Sequence, residues 1–318
     1  MLKIPALPEV RIPFDNIEIA PLIQIEPEPL EGLLPGEPLR LRVTNLDAKY
    51  QTGTLRLFLK GRNDPLVQTG FTALEPGRPM DLVVILPNSP APDFNEWPIT
   101  AEFTLADGRT GRQSFAADFL CTVRAEKPPA IDGNLDDWKL AAPIHIDQAA
   151  YAKGSFGLNW SPEDLSGTTY TMWDEKYFYF AAVVRDQTFN QNLTGEALWS
   201  QDSIQLAFAK DEKSGSSELG LALTPKGEEI FRFTGPTGTI PEAKMKVLVS
   251  QGQIIYEAAI PWTILGDFGP IKPGFKIRYS LLLNDDDAVI PRRFLERFGG
   301  IAHNKNISEF GRLILIDK

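Results

Sequence analysis

The residues best placed to do chemistry sit in the second half of the chain. Trp199 stands in "NLTGEALWSQDSIQLAF", after a polar loop and just before an alternating apolar run. An indole there could act as an exposed stacking platform or as a buried anchor for its loop; both readings stay open. Trp173 lies between "TTYTM" and the turn "DEK", where packing in the core or at its rim is expected. The run "LLLNDDDAVIPRR" crowds Asp285, Asp286 and Asp287 at a strand end. A cation, or Arg292 and Arg293, could offset that charge, and a solvated turn is the default expectation. "IDGNLDDW" superficially resembles the start of a calcium-binding EF-hand loop, but its glycine is misplaced and no bidentate glutamate follows at the needed distance. Asp132 and Asp136 are therefore expected to cap turns.

Other catalytic constellations are missing. His145 and His303 are too few and too isolated for a zinc site or a serine triad. Cys121 is the sole cysteine, cannot form an internal disulfide, and reads as a small packing residue in "ADFLCTVRA". The sequence holds no nucleophile elbow, phosphate-binding loop or dinucleotide fingerprint. A pair of glycosidase carboxylates is defined by spatial separation and leaves no sequence signal. Nothing points to one, so the chain is read as non-enzymatic.

The elements that must position these residues are strands. The chain has 318 residues, 43% of them hydrophobic and 23% charged, enough for two cores of ordinary size. Residues 1–38 are rich in proline, which fixes φ and removes a donor, so an extended lead-in is expected there. From 39 to 126, period-two runs such as "LRLRVTNL", "GTLRLFLKG" and "RQSFAADFLCTVRA" alternate with turns; "ADGRTG" marks a hairpin at Asp107-Gly108. That pattern predicts an immunoglobulin-like sandwich serving as a spacer or docking unit. Pro128-Pro129 then breaks the strand pattern, since neither residue donates to a ladder. Over 127–318 longer runs follow. "KYFYFAAVVRD" is apolar on both faces, as a central strand would be, and "DSIQLAF" alternates. "MKVLVSQGQIIYEAAIPW" is a hairpin turning at Gln251-Gly252. This half is predicted to be a larger antiparallel, jelly-roll-like sandwich of roughly nine to eleven strands, making the chain all-β.

Charge narrows the partners. With 32 Lys+Arg against 42 Asp+Glu, the formal net charge is −10, which disfavours nucleic acid and anionic membrane surfaces. No apolar run reaches the roughly 18–20 residues of a membrane-spanning helix. The start "MLKIPALPEVRIPF" carries no continuous apolar segment of a signal peptide. Either the protein is cytoplasmic or it is a piece of a longer exported chain, extracellular or periplasmic; the second is the expectation.

Taken in order, "IDGNLDDW", "MWDEKYFYFAAVVRD", "LWSQDSIQLAF", "YEAAIPWTILG" and "NISEFGRLIL" resemble the family-9 carbohydrate-binding modules, within the wider DOMON-like β-sandwiches. The resemblance covers about 127–318. It implies a non-catalytic module that binds oligo- or polysaccharide ends, with a neighbouring catalytic domain in a polysaccharide-degrading enzyme and a structural Ca²⁺. In such modules two tryptophans sandwich a sugar ring, while an acid, an arginine and asparagines take its hydroxyls. Trp199 matches the first tryptophan and Gln205 the acid. Gly220 and Ala222 fall at the arginine and asparagine positions, and Asn304 lies near the second tryptophan's place. Those substitutions support an alternative, a structural or protein-interaction sandwich that has lost sugar binding. Asp186 and Asn190, in "RDQTFNQN", match the region that holds Ca²⁺; a solvated acidic loop is the competing reading. Trp138 and Trp262 lie in motifs that are structural in the family and are expected in the core.

Overall fold

The computed structural model describes residues 22–27, 38–59, 63–85, 95–118, 120–154, 160–287, 293–302 and 305–317. The chain divides into two compact units. The first takes its described residues from 22–27, 40–84 and 99–115; the second takes those of 29–39 and 85–98 and all from 116 onward. Secondary structure is almost entirely β, as the alternating runs predict.

The strands before the second unit's main body are β1 (Ile23–Pro27), β2 (Pro38–Asn45), β3 (Gln51–Leu59), β4 (Val67–Leu74), β5 (Pro79–Ile85), β6 (Glu96–Leu105) and β7 (Thr110–Asp118). They form a three-stranded sheet, β1-β2-β5, and a four-stranded sheet, β4-β3-β6-β7. In β2, Leu39, Leu41 and Val43 are buried while Arg40 and Arg42 are exposed, so one face of the pleat supplies core. The β6–β7 hairpin turns where expected, with Gly108 at φ +89° supplying a left-handed conformation that a side chain would resist.

The later strands are β8 (Cys121–Arg124), β9 (Ile144–Ile146), β10 (Ala152–Gly154), β11 (Leu165–Trp173), β12 (Tyr177–Asp186), β13 (Ser203–Ala209) and β14 (Ser216–Thr224). They continue with β15 (Gly227–Arg232), β16 (Gly238–Thr239), β17 (Lys244–Ser250), β18 (Gln253–Pro261), β19 (Lys276–Asp285), β20 (Arg293–Arg297) and β21 (Gly311–Ile316). All join one 14-stranded sheet whose main path runs β16-β15-β14-β13-β19-β21-β8-β11-β12-β18-β17. The sheet curls so that its two halves face each other. Phe178 and Phe180 of β12 and Tyr256 of β18 share one core with Leu206 and Phe208 of β13 and Tyr279 of β19. Phe178 meets Phe208 edge-on at 5.0 Å between ring centroids. The count exceeds the expected range because β9, β10 and β16 are only two or three residues long, too short to show a period.

The seam between the halves corrects one expectation. "RQSFAADFLCTVRA" does not form a single strand. It splits into β7 and β8, and β8 runs parallel between β21 and β11. Leu120, buried in the large core, carries the chain into the second unit before the two prolines are reached.

Strand β12 is covered on both faces, as its continuous apolar run requires. Phe178 and Phe180 point into the large core, while Tyr179 and Ala181 pack in a second cluster with Trp138, Met172 and Ala259. That second cluster explains "IDGNLDDW". Glu257 of β18, fully buried, accepts hydrogen bonds from the backbone N–H groups of Asp132 (2.9 Å) and Gly133 and from Trp138 Nε1 (2.7 Å). Three donors aimed at one carboxylate make the loop a lid over β18. Gly133 adopts φ +92°, and a Cβ there would also strike Leu248 at 2.3 Å. Asp132 caps its turn through Asn134 N–H, as expected. Asp136 does not: it pairs with Lys139 at 3.1 Å, and Asn134 caps the following 3-10 turn, Leu135–Trp138. Burial raises the Glu257 carboxyl above its ordinary value, and its three donors oppose that rise.

Replacing Glu257 with alanine strands three N–H groups away from water. The expected loss is about 3 kcal/mol or more of unfolding free energy, read from the urea midpoint. A change below about 1 kcal/mol would contradict this role for the carboxylate.

Candidate functional site

Two polar features share strands β13 and β19: an aromatic-walled cavity and a buried acidic cluster. The cavity measures about 330 Å³ and is lined by Trp199, Gln205, Glu218, Phe233, Ile301, Ala302 and Lys305. A larger hollow of about 670 Å³ lies beside Trp262–Leu265 and is lined by Arg232 and Ile264 among others. Its Arg232 guanidinium donates to the carbonyls of Pro236 and Ile264. The smaller cavity combines an exposed indole with a part-buried ion pair, Glu218–Lys305.

Trp199 lies in the 3-10 turn Gly195–Ser200. Adjacent residues in a turn point in different directions, and here Leu198 is fully buried while Trp199 is 40% exposed. Gln191 holds the turn to the sheet by donating to Leu198 O (3.1 Å) and Asp202 O (3.0 Å). On β13, Ile204, Leu206 and Phe208 face the core, which places Gln205 on the opposite face, paired with Gly220 of β14. Gln205 Nε2 donates to Glu218 Oε1 at 2.7 Å, and Gln205 Oε1 accepts from Asn284 Nδ2 at 3.0 Å. Lys305 Nζ donates to both oxygens of Glu218 at 2.6 Å.

Trp199 and Gln205, both singled out in the sequence, line the same cavity. Asn304 lies outside the described residues; its neighbours Ala302 and Lys305 line the cavity. Glu218, Phe233 and Lys305 were not singled out. Glu218 left one signal, a lone charge inside the apolar run "ELGLALT". Gly220 has a physical role: a Cβ there would lie 2.7 Å from the Phe233 ring, so the absent side chain admits that ring. Ala222 is buried with Leu198 and Phe231. The positions of Gly220 and Ala222, where the resemblance implies polar groups, are filled by packing, and Glu218 and Lys305 supply the charges that line the cavity.

The loop after β20 delivers Ile301, Ala302 and Lys305. Buried Glu296 accepts from the N–H groups of Ile301 (2.8 Å) and Ala302 (3.1 Å), which fixes the loop's path. Lys305 itself sits at φ +46°, a left-handed conformation costly for a side-chain-bearing residue.

The acidic cluster occupies the ends of β12 and β19 and the approach to β13. Carboxylate oxygens of Asp186, Asp202 and Asp285 lie within 4.8 Å of one another, as do those of Asp164, Asp285 and Asp287. The second group surrounds Arg293, which pairs with Asp164 at 2.8 Å and also with Asp285 and Asp287. Asp285 is therefore no solvated turn residue: it is 1% exposed, its Oδ2 faces the Arg293 guanidinium, and its Oδ1 meets no hydrogen-bond donor among the described residues. The chain crosses from β19 to β20 here, and Arg293 pulls the acids inward. Asp202 accepts from the N–H groups of Asp286 (2.7 Å) and Asn190, and Asp186 accepts from Thr188 N–H at 2.8 Å. Asn190 thus supports Asp202 through its backbone, while its side chain donates to Asp286 at 3.0 Å. Arg292 lies outside the described residues.

Burial pushes all three carboxyls of the first group upward, Asp285 to about 7, and repulsion from neighbouring acids adds to the effect. One guanidinium cannot neutralise five acids. The donor set is all oxygen and partly unsatisfied, which fits a hard divalent cation held by Asp186, Asp202 and Asp285.

The chain is 27% identical over 195 residues to endo-1,4-beta-xylanase A of Thermotoga maritima, covering 59% of this chain and 17% of that protein. It is 28% identical over 196 residues to exoglucanase XynX of Acetivibrio thermocellus, covering 60% and 16%. The chain therefore spans about a sixth of the length of the curated relatives it matches. Among solved structures, a family 9 module of Caldicellulosiruptor kristjanssonii in complex with glucose has a TM-score of 0.48 at 17% identity, covering 62% of this chain and 96% of that one. The same module with cellotriose gives 0.48 at 18%, covering 62% and 94%. The family described as "Carbohydrate family 9 binding domain-like" matches residues 131–318, more than half of the chain, and the chain belongs to that family.

Proposed function

We propose that residues 131–318 are a non-catalytic module that binds glycan in the Trp199 cavity, as the accessory region of an exported polysaccharide-degrading protein. The observation that carries this reading is the half-exposed indole at the mouth of a concave site whose far wall is the Glu218–Lys305–Gln205 network. A pyranose has an apolar C–H face that stacks on an indole and hydroxyls that need polar partners at its edge. The cavity offers both within one wall. The relatives' names, a xylanase and an exoglucanase, favour β-1,4-linked glucose or xylose chains and a catalytic domain elsewhere in the full protein.

We further propose that Asp186, Asp202 and Asp285 hold Ca²⁺, with Asn190 supporting Asp202. The ion would supply the positive charge that the buried acids lack. Its role is structural, keeping the loop between β12 and β13, and with it Trp199, against the sheet ends.

Titrating the protein with cello- and xylo-oligosaccharides should change its tryptophan fluorescence, and Trp199→Ala should lose about 2 kcal/mol of binding, roughly thirtyfold. A flat response across such a panel would leave the alternative of a protein-interaction sandwich. The metal reading has a pH signature. Asp285 is raised from 3.8 to about 7 in the folded chain, so the folded state binds more protons than the unfolded one across that interval. Without metal, stability should fall as pH climbs through that window. Added Ca²⁺ should raise the melting temperature by several degrees at pH 8 and far less at pH 5, where protons compete for the same oxygens. Equal shifts at both pH values, or none, would count against the site.

A further inference from the structure

We propose that the Glu218–Lys305 pair sets the specificity of the cavity, selecting a neutral sugar with two adjacent hydroxyls and rejecting a uronate. This rests on the glycan reading above.

Four observations carry it. Glu218 is 3% exposed yet lines a cavity, so its charge is felt there with little screening by water. The carboxylate cannot turn away: Gln205 Nε2 holds Oε1, and Asn284 in turn holds Gln205. Lys305, with its side chain 54% exposed at the mouth, reaches inward to both Glu218 oxygens from a left-handed backbone. A surface lysine held in that conformation is better explained by a task at the cavity than by packing. Finally, donor and acceptor capacity remains. Among the described residues, Glu218 accepts one bond from Gln205 and one at each oxygen from Lys305, leaving a lone pair on Oε2. The ammonium has three hydrogens and two acceptors here, leaving one donor.

An acceptor and a donor now lie 2.6 Å apart, close to the separation of neighbouring hydroxyl oxygens on a pyranose. One hydroxyl donates to Glu218 while the next accepts from Lys305. The pair as a whole is neutral, so a neutral sugar leaves the charge balance intact. A sugar carboxylate in the same place would face Glu218 across a poorly solvated gap, while the Lys305 charge is already balanced by Glu218.

The test is isothermal titration of the full chain with cellotriose and with a counterpart ending in glucuronic acid. The parent protein should bind the neutral sugar at least tenfold more tightly. Glu218→Gln, which keeps the side chain's shape, should lose about tenfold for cellotriose and gain affinity for the uronate, because Lys305 is released to meet it. Lys305→Met, at the exposed mouth, should weaken cellotriose by about tenfold with no gain for the uronate, since the Glu218 charge stays. The opposite movements under Glu218→Gln are not what a merely structural residue would give. Unchanged affinities in both variants, or a parent preference for the uronate, overturn the inference alone. A parent that binds neither sugar overturns the glycan reading and this inference together.

Discussion

The second unit is organised around acid groups that have been taken out of water and must be compensated where they lie. At the ends of β12 and β19 and the approach to β13, Asp186, Asp202 and Asp285 converge, and Arg293 pairs with Asp285 among them and with Asp164 and Asp287 beside them. Backbone N–H groups of the following loops close on Asp202 and Asp186, so the acids dictate how the chain leaves each strand. A buried, partly compensated cluster of this kind weakens a fold unless a cation joins it. The same cluster fixes the loop that ends in Trp199, because Asp202 follows the 3-10 turn by only two residues.

Glu257 repeats the principle at the other face of the sheet. It too is a carboxylate inside a strand, and it too is met by donors from a loop distant in sequence. The result differs because N–H donors reach both oxygens, and the loop becomes a lid carrying Trp138 into the second cluster. One acid uses the backbone and indole, the other group uses a guanidinium and leaves oxygens open.

Strand β19 connects the acidic cluster to the cavity through simple pleat geometry. Its neighbouring residues Asn284 and Asp285 face opposite ways; the first orients Gln205 and the second joins the acids. The cavity's polar wall therefore rests on strands. Its outer parts, Trp199 and Lys305, rest on loops pinned by Gln191, Asp202 and Glu296. A site with a rigid wall and pinned lips has little ordering left to do when a ligand arrives.

What the sequence alone determined is whatever period and local chemistry express. The all-β class, the central character of "KYFYFAAVVRD", the turns at Gly108 and Gly252 and the outward face of Gln205 all follow from alternation and from glycine's freedom. Trp199 was legible as one of two alternatives, and its loop chemistry could not choose between them. Tertiary structure decided the rest. Glu218 and Phe233 meet across the β14–β15 hairpin, and Lys305 joins them only because the loop after β20 folds back. Asp285 was expected in a solvated turn: Arg293 was visible as one candidate counter-charge, but nothing local reveals that two distant strand ends would enclose the pair. Periodicity records which face a side chain takes, whereas a site depends on which faces are brought together, and that is set by long-range packing that no short window contains.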